Sequence, residues 1–205
     1  MPHCLTMVDY WHILIGGFHQ RFNADNGLAA TRSDLLRLYG RGPDLSDVVY
    51  LPWYMSADDY AGYIYRNGNF RSPDPPGIQI AGYSYGGQTA INLCRALQDL
   101  GVVVQRLCLI DPVRRRSRMP WGWLAAVNRW AVLEVPGNVR KLDWFFQSQS
   151  WPRSHNVEKH ATTAIVPHKL LLNHNACDNV GIVRDTILLQ AADIHPKTDE
   201  DKIEG

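Results

Sequence analysis

Three side chains that together perform nucleophilic acyl transfer occur here in a usable order: Ser84, then Asp111, then His174. Ser84 stands in Gly82-Tyr83-Ser84-Tyr85-Gly86, a match to G-x-S-x-G. In that pattern a serine is lifted above a sheet edge by a sharp strand-to-helix turn, with glycines where strand and helix approach closely. A serine hydroxyl needs a base to take its proton, and the base needs an acid to orient it. Asp111 ends the apolar run "LCLID", at the kind of strand end where catalytic groups collect; Asp143 and Asp178 are the reserve acids. For the base, His174 in "LLNHNACDN" is favoured, with Asn175 and Asp178 beside it as helix caps, and His168 in "IVPHK" is the second choice. Developing oxyanion charge calls for backbone donors. The N–H of Tyr85, next after the serine, is one; the N–H of Phe18 in "GGFHQ" is the other, with His19 read as solvated. Each residue has a plainer alternative: Ser84 as a helix-start serine, Asp-Pro as a turn, a lone histidine as a structural one.

The elements needed to position these groups are visible. Short apolar runs at 10–17, 46–53, 78–84 and 102–111 read as buried strands, and amphipathic stretches at 26–40, 56–68 and 86–101 read as helices between them. Ser56 is a candidate N-cap, with Asp58 and Asp59 in the first turn behind it. A β-branched stretch at 160–166 resumes the strand pattern, and 179–194 closes with Val180, Val183, Ile187 and Ala191 on one helix face. Strands alternating with helices predict an α/β fold, a mostly parallel central sheet covered by helices on both faces. The expected organisation is one domain over 1–195, with an irregular insertion at about 113–151 and a disordered polar tail at 196–205.

Composition narrows the function classes. The 205 residues carry a formal net charge of +1, which gives no sign of nucleic-acid binding. No apolar run is long enough to span a bilayer and the first residues lack a signal-peptide pattern, so a cytoplasmic protein without stable membrane insertion is expected. Four dispersed cysteines read as reduced and buried, and no metal-ligand spacing or phosphate-binding loop implies a metal or cofactor. The expected partner is a small-molecule or lipid-like acyl ester. Trp121, Trp123 and Trp144 are candidates for its pocket, in a segment that also holds Trp130 and Trp151 and is led in by Arg114, Arg115, Arg116 and Arg118. The alternatives are a lid or pocket wall and mere packing of the insertion; the arginines read as a solvated run.

Four motifs carry a resemblance to the α/β-hydrolases, across about residues 10–192. "ILIGGF" resembles their strand and oxyanion segment, with Gly16 where many members have histidine; "GYSYGG" is similar to their nucleophile elbow. "LIDPV" resembles an acid-bearing strand end of lipase-like and thioesterase-like members, and "NHNACDNVGIVRDTI" their terminal histidine loop and helix. The resemblance implies Ser84, Asp111 and His174 as a triad, on a sheet reduced as in small esterases. It implies a serine hydrolase for esters or thioesters. An acyltransferase using the same triad, or a non-catalytic binding protein on the same scaffold, are the alternatives.

Overall fold

The computed structural model describes residues 10–18, 20, 26–39, 48–73, 75–114 and 131–194. Six strands form one parallel sheet in the order β2-β1-β3-β4-β6-β8: β1 (Tyr10–Ile15), β2 (Val48–Leu51), β3 (Gly77–Tyr83), β4 (Val104–Ile110), β6 (Val139–Phe146) and β8 (Ala164–Lys169). A separate pair joins β5 (Val132–Glu134) to β7 (Asn156–Glu158). The central strands are covered on both faces, which is why β3 is buried at every residue and reads as an apolar run broken by Gln79 rather than an alternating one.

Within β1 the side chains alternate. Trp11, Ile13 and Ile15 enter a core shared with α2 (Ala57–Asn67) and α3 (Tyr85–Asp99), through residues such as Ile64, Ile91 and Leu97. Leu14 enters the opposite core, where α1 (Gly27–Tyr39) and α4 (Gly181–Ile194) contribute Leu28, Leu35, Val183 and Ile187. Ser56 caps α2 by accepting from the Asp59 N–H at 3.3 Å. The chain leaves β1 toward β2 on one side and returns to place β3 on the other, so the order reverses between β1 and β3. Such a switch point opens a crevice at the carboxyl ends of the two strands.

The segment 113–151 is not an irregular insertion throughout. Val139–Phe146 is β6, paired in parallel with both β4 and β8 inside the main sheet. Its apolar run is broken by Arg140, Lys141 and Asp143. Asp143 is buried, and its charge is met by partners distant in sequence: His168 Nε2 at 2.9 Å and Gln190 Nε2 at 2.6 Å. The strand expected at 160–166 lies at 164–169, with Pro167 accommodated because β8 is an edge. Residues 115–130 and the expected tail at 196–205 lie outside the described residues. Among the described residues no helix is long and apolar enough to cross a membrane.

Candidate active site

The turn that carries Ser84 is built by close approach. A Cβ on Gly82 would stand 2.5 Å from the Gly86 carbonyl oxygen, and one on Gly86 would stand 2.4 Å from that of Ile15. Only glycine fits either place. The turn is pinned by its backbone: the Ser84 N–H donates to Ile110 O at 3.0 Å, and the Ser84 carbonyl accepts from Gly87 and Val113, each at 3.0 Å. Ser84 itself takes φ 54° and ψ −121°. Among the described residues the non-glycine residues with positive φ are Ser84 and Asp111, the latter at φ 44°. Conformations of that kind cost of order 1–3 kcal/mol each and persist where the surroundings over-determine them.

These two strained residues meet through His174. His174 Nδ1 lies 2.5 Å from Asp111 Oδ2, and its Nε2 lies 2.9 Å from Ser84 Oγ. A carboxylate can only accept, so the imidazole proton belongs on Nδ1, and Nε2 is left to accept from the Ser84 hydroxyl. All three residues are buried, Asp111 completely. The imidazole is held from several sides. Its ring stacks on Tyr83 with centroids 5.2 Å apart, while the His174 backbone carbonyl accepts from the Tyr83 hydroxyl at 2.7 Å and the His174 backbone N–H donates to Ser150 Oγ at 2.7 Å. Burial, with nearby Asp178 adding to it, raises the pKa of Tyr83 far above the ordinary phenol range, so this hydroxyl stays a donor.

The loop after β1 touches the same spot. A Cβ on Gly17 would come within 3.1 Å of Ser84 Cβ, so the backbone leading into Phe18 lies directly against the serine. The loop is braced by Asp178. Gly17 N–H donates to Gln20 Oε1 at 2.9 Å, Gln20 Nε2 donates to Asp178 Oδ2 at 2.7 Å, and the same oxygen accepts from the Gly27 N–H at 3.1 Å. Asp178 therefore caps α1 and ties the loop down, rather than serving His174 or capping α4. Burial pushes its carboxyl pKa up, against the hydrogen bonds that favour the charged form. Tyr85 opens α3, where the helix dipole favours negative charge.

Aromatic rings flank this corner. Phe18, Trp53 and Tyr85 form a mutual cluster with centroids 5.8–5.9 Å apart. Beyond it a groove of about 570 Å³ runs between the β2–α2 loop and α3, lined by Trp53, Tyr54, Ser56, Tyr85, Gln88 and Asn92. In the sequence this wall is marked by "LPWY" at the carboxyl end of β2, a signal with no motif to single it out. Trp144 instead packs on the core beneath α2 and α3 and stacks on Phe146 at 4.6 Å. Trp121 and Trp123 lie outside the described residues, as does His19. Nearby Cys177 has its Sγ 3.9 Å from Asp111 Oδ2, but burial pushes its thiol up to about 12, which leaves it a neutral thiol. Among the described residues no cluster of His, Cys, Asp or Glu could hold a metal ion.

His168 and Asp143 form a second histidine–carboxylate pair, but it faces elsewhere. Asp143 bonds on to Gln190, Gln190 to Gln79 at 3.1 Å, and Gln79 to buried His12 at 2.8 Å, a polar chain crossing the sheet under α4. His174→Ala is therefore expected to remove at least about 10³-fold of any ester turnover, and His168→Ala less than about tenfold, with lowered thermal stability. Steady-state rates and melting curves of both variants check this, and the reverse ranking would exchange the two histidines.

No protein-family profile and no curated protein sequence matches this chain. Solved structures do. A candidate hydrolase from Agrobacterium vitis S4 superposes with TM-score 0.50 at 11% identity, covering 89% of this chain and 88% of that one. RedJ, a thioesterase from the prodiginine biosynthetic pathway in Streptomyces coelicolor, superposes with TM-score 0.51 at 10% identity, covering 92% and 87%. The chain has the α/β-hydrolase fold. On this α/β-hydrolase sheet, Ser84 follows β3, Asp111 follows β4 and His174 follows β8, all at carboxyl ends.

Proposed function

We propose that the protein is a serine hydrolase that cleaves a carboxylic ester or thioester through an acyl-enzyme, with Ser84, His174 and Asp111 as its triad. The observation that carries this reading is the unbroken hydrogen-bonded chain Ser84–His174–Asp111, with its first and last members both held at positive φ. In the first half-reaction His174 Nε2 takes the Ser84 proton as Oγ attacks the carbonyl carbon. The oxyanion is held by the amides of Phe18 and Tyr85. The proton then passes to the leaving alcohol or thiol, and the C–O or C–S bond breaks to leave the acyl group on Ser84. His174 next takes a proton from a water that attacks the acyl carbon, then returns it to Oγ as the acyl C–Oγ bond breaks, releasing the carboxylic acid and restoring Ser84. Asp111 stabilises the imidazolium formed in each half and holds the tautomer. The RedJ thioesterase, sharing the fold, is consistent with acyl substrates of this class.

A fluorophosphonate probe, which reacts covalently with activated serines, tests the reading directly. Wild-type protein is expected to take up one probe, located at Ser84 by peptide mass spectrometry, and Ser84→Ala is expected to take up none. Folded wild-type protein that resists the probe would overturn the proposal.

A further inference from the structure

Gln147 follows directly on β6 and is 2% exposed, a large polar side chain in a place where an unpaired amide would be costly. It is not unpaired. Its Nε2 faces three oxygens, Asp111 Oδ2 at 3.0 Å, Pro152 O at 2.8 Å and Ser150 O at 3.2 Å. Its Oε1 accepts from the backbone N–H groups of Gln149 at 2.8 Å and Ser150 at 2.9 Å. These neighbours fix the orientation of the amide. Turned over, it would set oxygen against three acceptors and NH₂ against two donors, so it must present a donor to Asp111. The Gln147 backbone N–H adds a longer contact to Asp111 Oδ1 at 3.4 Å.

Two consequences follow from this one side chain. The Asp111 carboxylate is gripped on both oxygens, with Oδ2 shared between Gln147 and His174 Nδ1, so its plane is set before the imidazole meets it. The turn that Gln147 organises also carries Ser150, whose Oγ accepts the N–H of His174. A single buried amide thus joins the strand end bearing the acid to the loop bearing the base. We infer that Gln147 is the positioning residue that aligns Asp111 with His174 and holds their loops in register; this rests on the serine-hydrolase reading above.

The test uses two variants and the fluorophosphonate inactivation rate, which needs no knowledge of the natural substrate. Gln147→Met keeps the volume and removes the donor. It is expected to slow inactivation and nitrophenyl-ester kcat by about 10- to 100-fold, with KM changed less than twofold. Gln147→Glu places a second carboxyl against Asp111, and two such groups sharing a site cannot both ionise easily. While protonated, the new carboxyl donates as the amide does; once ionised, it repels Asp111. The rate–pH profile of Gln147→Glu is therefore expected to gain a descending limb of at least about tenfold that wild type lacks, at pH values where circular dichroism shows it still folded. If Gln147→Met is too unstable to assay, that limb alone decides. Wild-type inactivation rates in Gln147→Met, or a wild-type profile in Gln147→Glu, would overturn the inference while leaving the triad standing. A wild-type protein that never labels would overturn the serine-hydrolase reading and this inference with it.

Discussion

Replacing Asp111 with Asn is expected to lower kcat for ester hydrolysis by roughly 10³- to 10⁴-fold while leaving the protein folded. Asn is the substitution of choice because position 111 sits at φ 44°, a region that Asn tolerates better than Ala does. The fault it introduces is therefore chemical. Asp111 Oδ2 accepts from both His174 Nδ1 and Gln147 Nε2. If the new side chain keeps oxygen there, its NH₂ must face the Gln147 backbone N–H, donor against donor. If it turns over, NH₂ faces His174, the imidazole proton moves to Nε2, and the base can no longer accept from Ser84. Either arrangement loses the negative charge that stabilises the imidazolium. Steady-state kinetics on nitrophenyl esters together with thermal melts measure both halves of the expectation. A kcat loss below tenfold, in a protein melting near wild type, would remove Asp111 from the proposed mechanism.

What sequence revealed and what it hid separate along one line, the reach of the interactions. β1, β3 and β4 declare themselves because both of their faces are largely buried, leaving short apolar stretches such as Ile13–Ile15 and Leu107–Ile110. Ser84 and its glycines are legible because the constraint is local: strand, turn and helix are contiguous, and each glycine is demanded by a neighbour close in sequence or by the adjoining strand end. β6 was hidden because buried Asp143 interrupts it, and the partners that make that burial tolerable come from β8 and α4. Asp178 reads locally as a cap for the helix that follows it, yet it caps α1, 151 residues away in the chain. Gln147 gives no sequence signal at all. Its importance lies in the turn it folds and the carboxylate it meets, and neither has a spacing to read.

A large effect on stability is expected at Gly86. Its added Cβ would meet two backbone oxygens, Ile15 O at 2.4 Å and Gly16 O at 2.5 Å, rather than side chains able to swing away. Neither oxygen can retreat cheaply, because Ile15 is paired to both β2 and β3 and the Gly16 N–H donates to Leu51 O at 3.0 Å. Gly86→Ala must therefore part the start of α3 from the end of β1. Overpacking of this kind is expected to cost about 3 kcal/mol, or roughly 6–12 °C in Tm for a chain of this size. It should also cost activity, because the same shift carries residues 16–18 away from Ser84, and a misplacement on the order of 1 Å can cost about 10²-fold in rate. Gly181→Ala is the matching control. An added Cβ there meets nothing within 4 Å, at the first residue of α4. The change is expected to stabilise by about 0.5 kcal/mol, through the better helix propensity of alanine, and to leave turnover unchanged. Paired melts and rates on the two variants separate the loss of a glycine as such from the loss of the close approach that sets Ser84 against the β1 loop. Equal behaviour of the two variants would show that this approach is not what holds Ser84 in place.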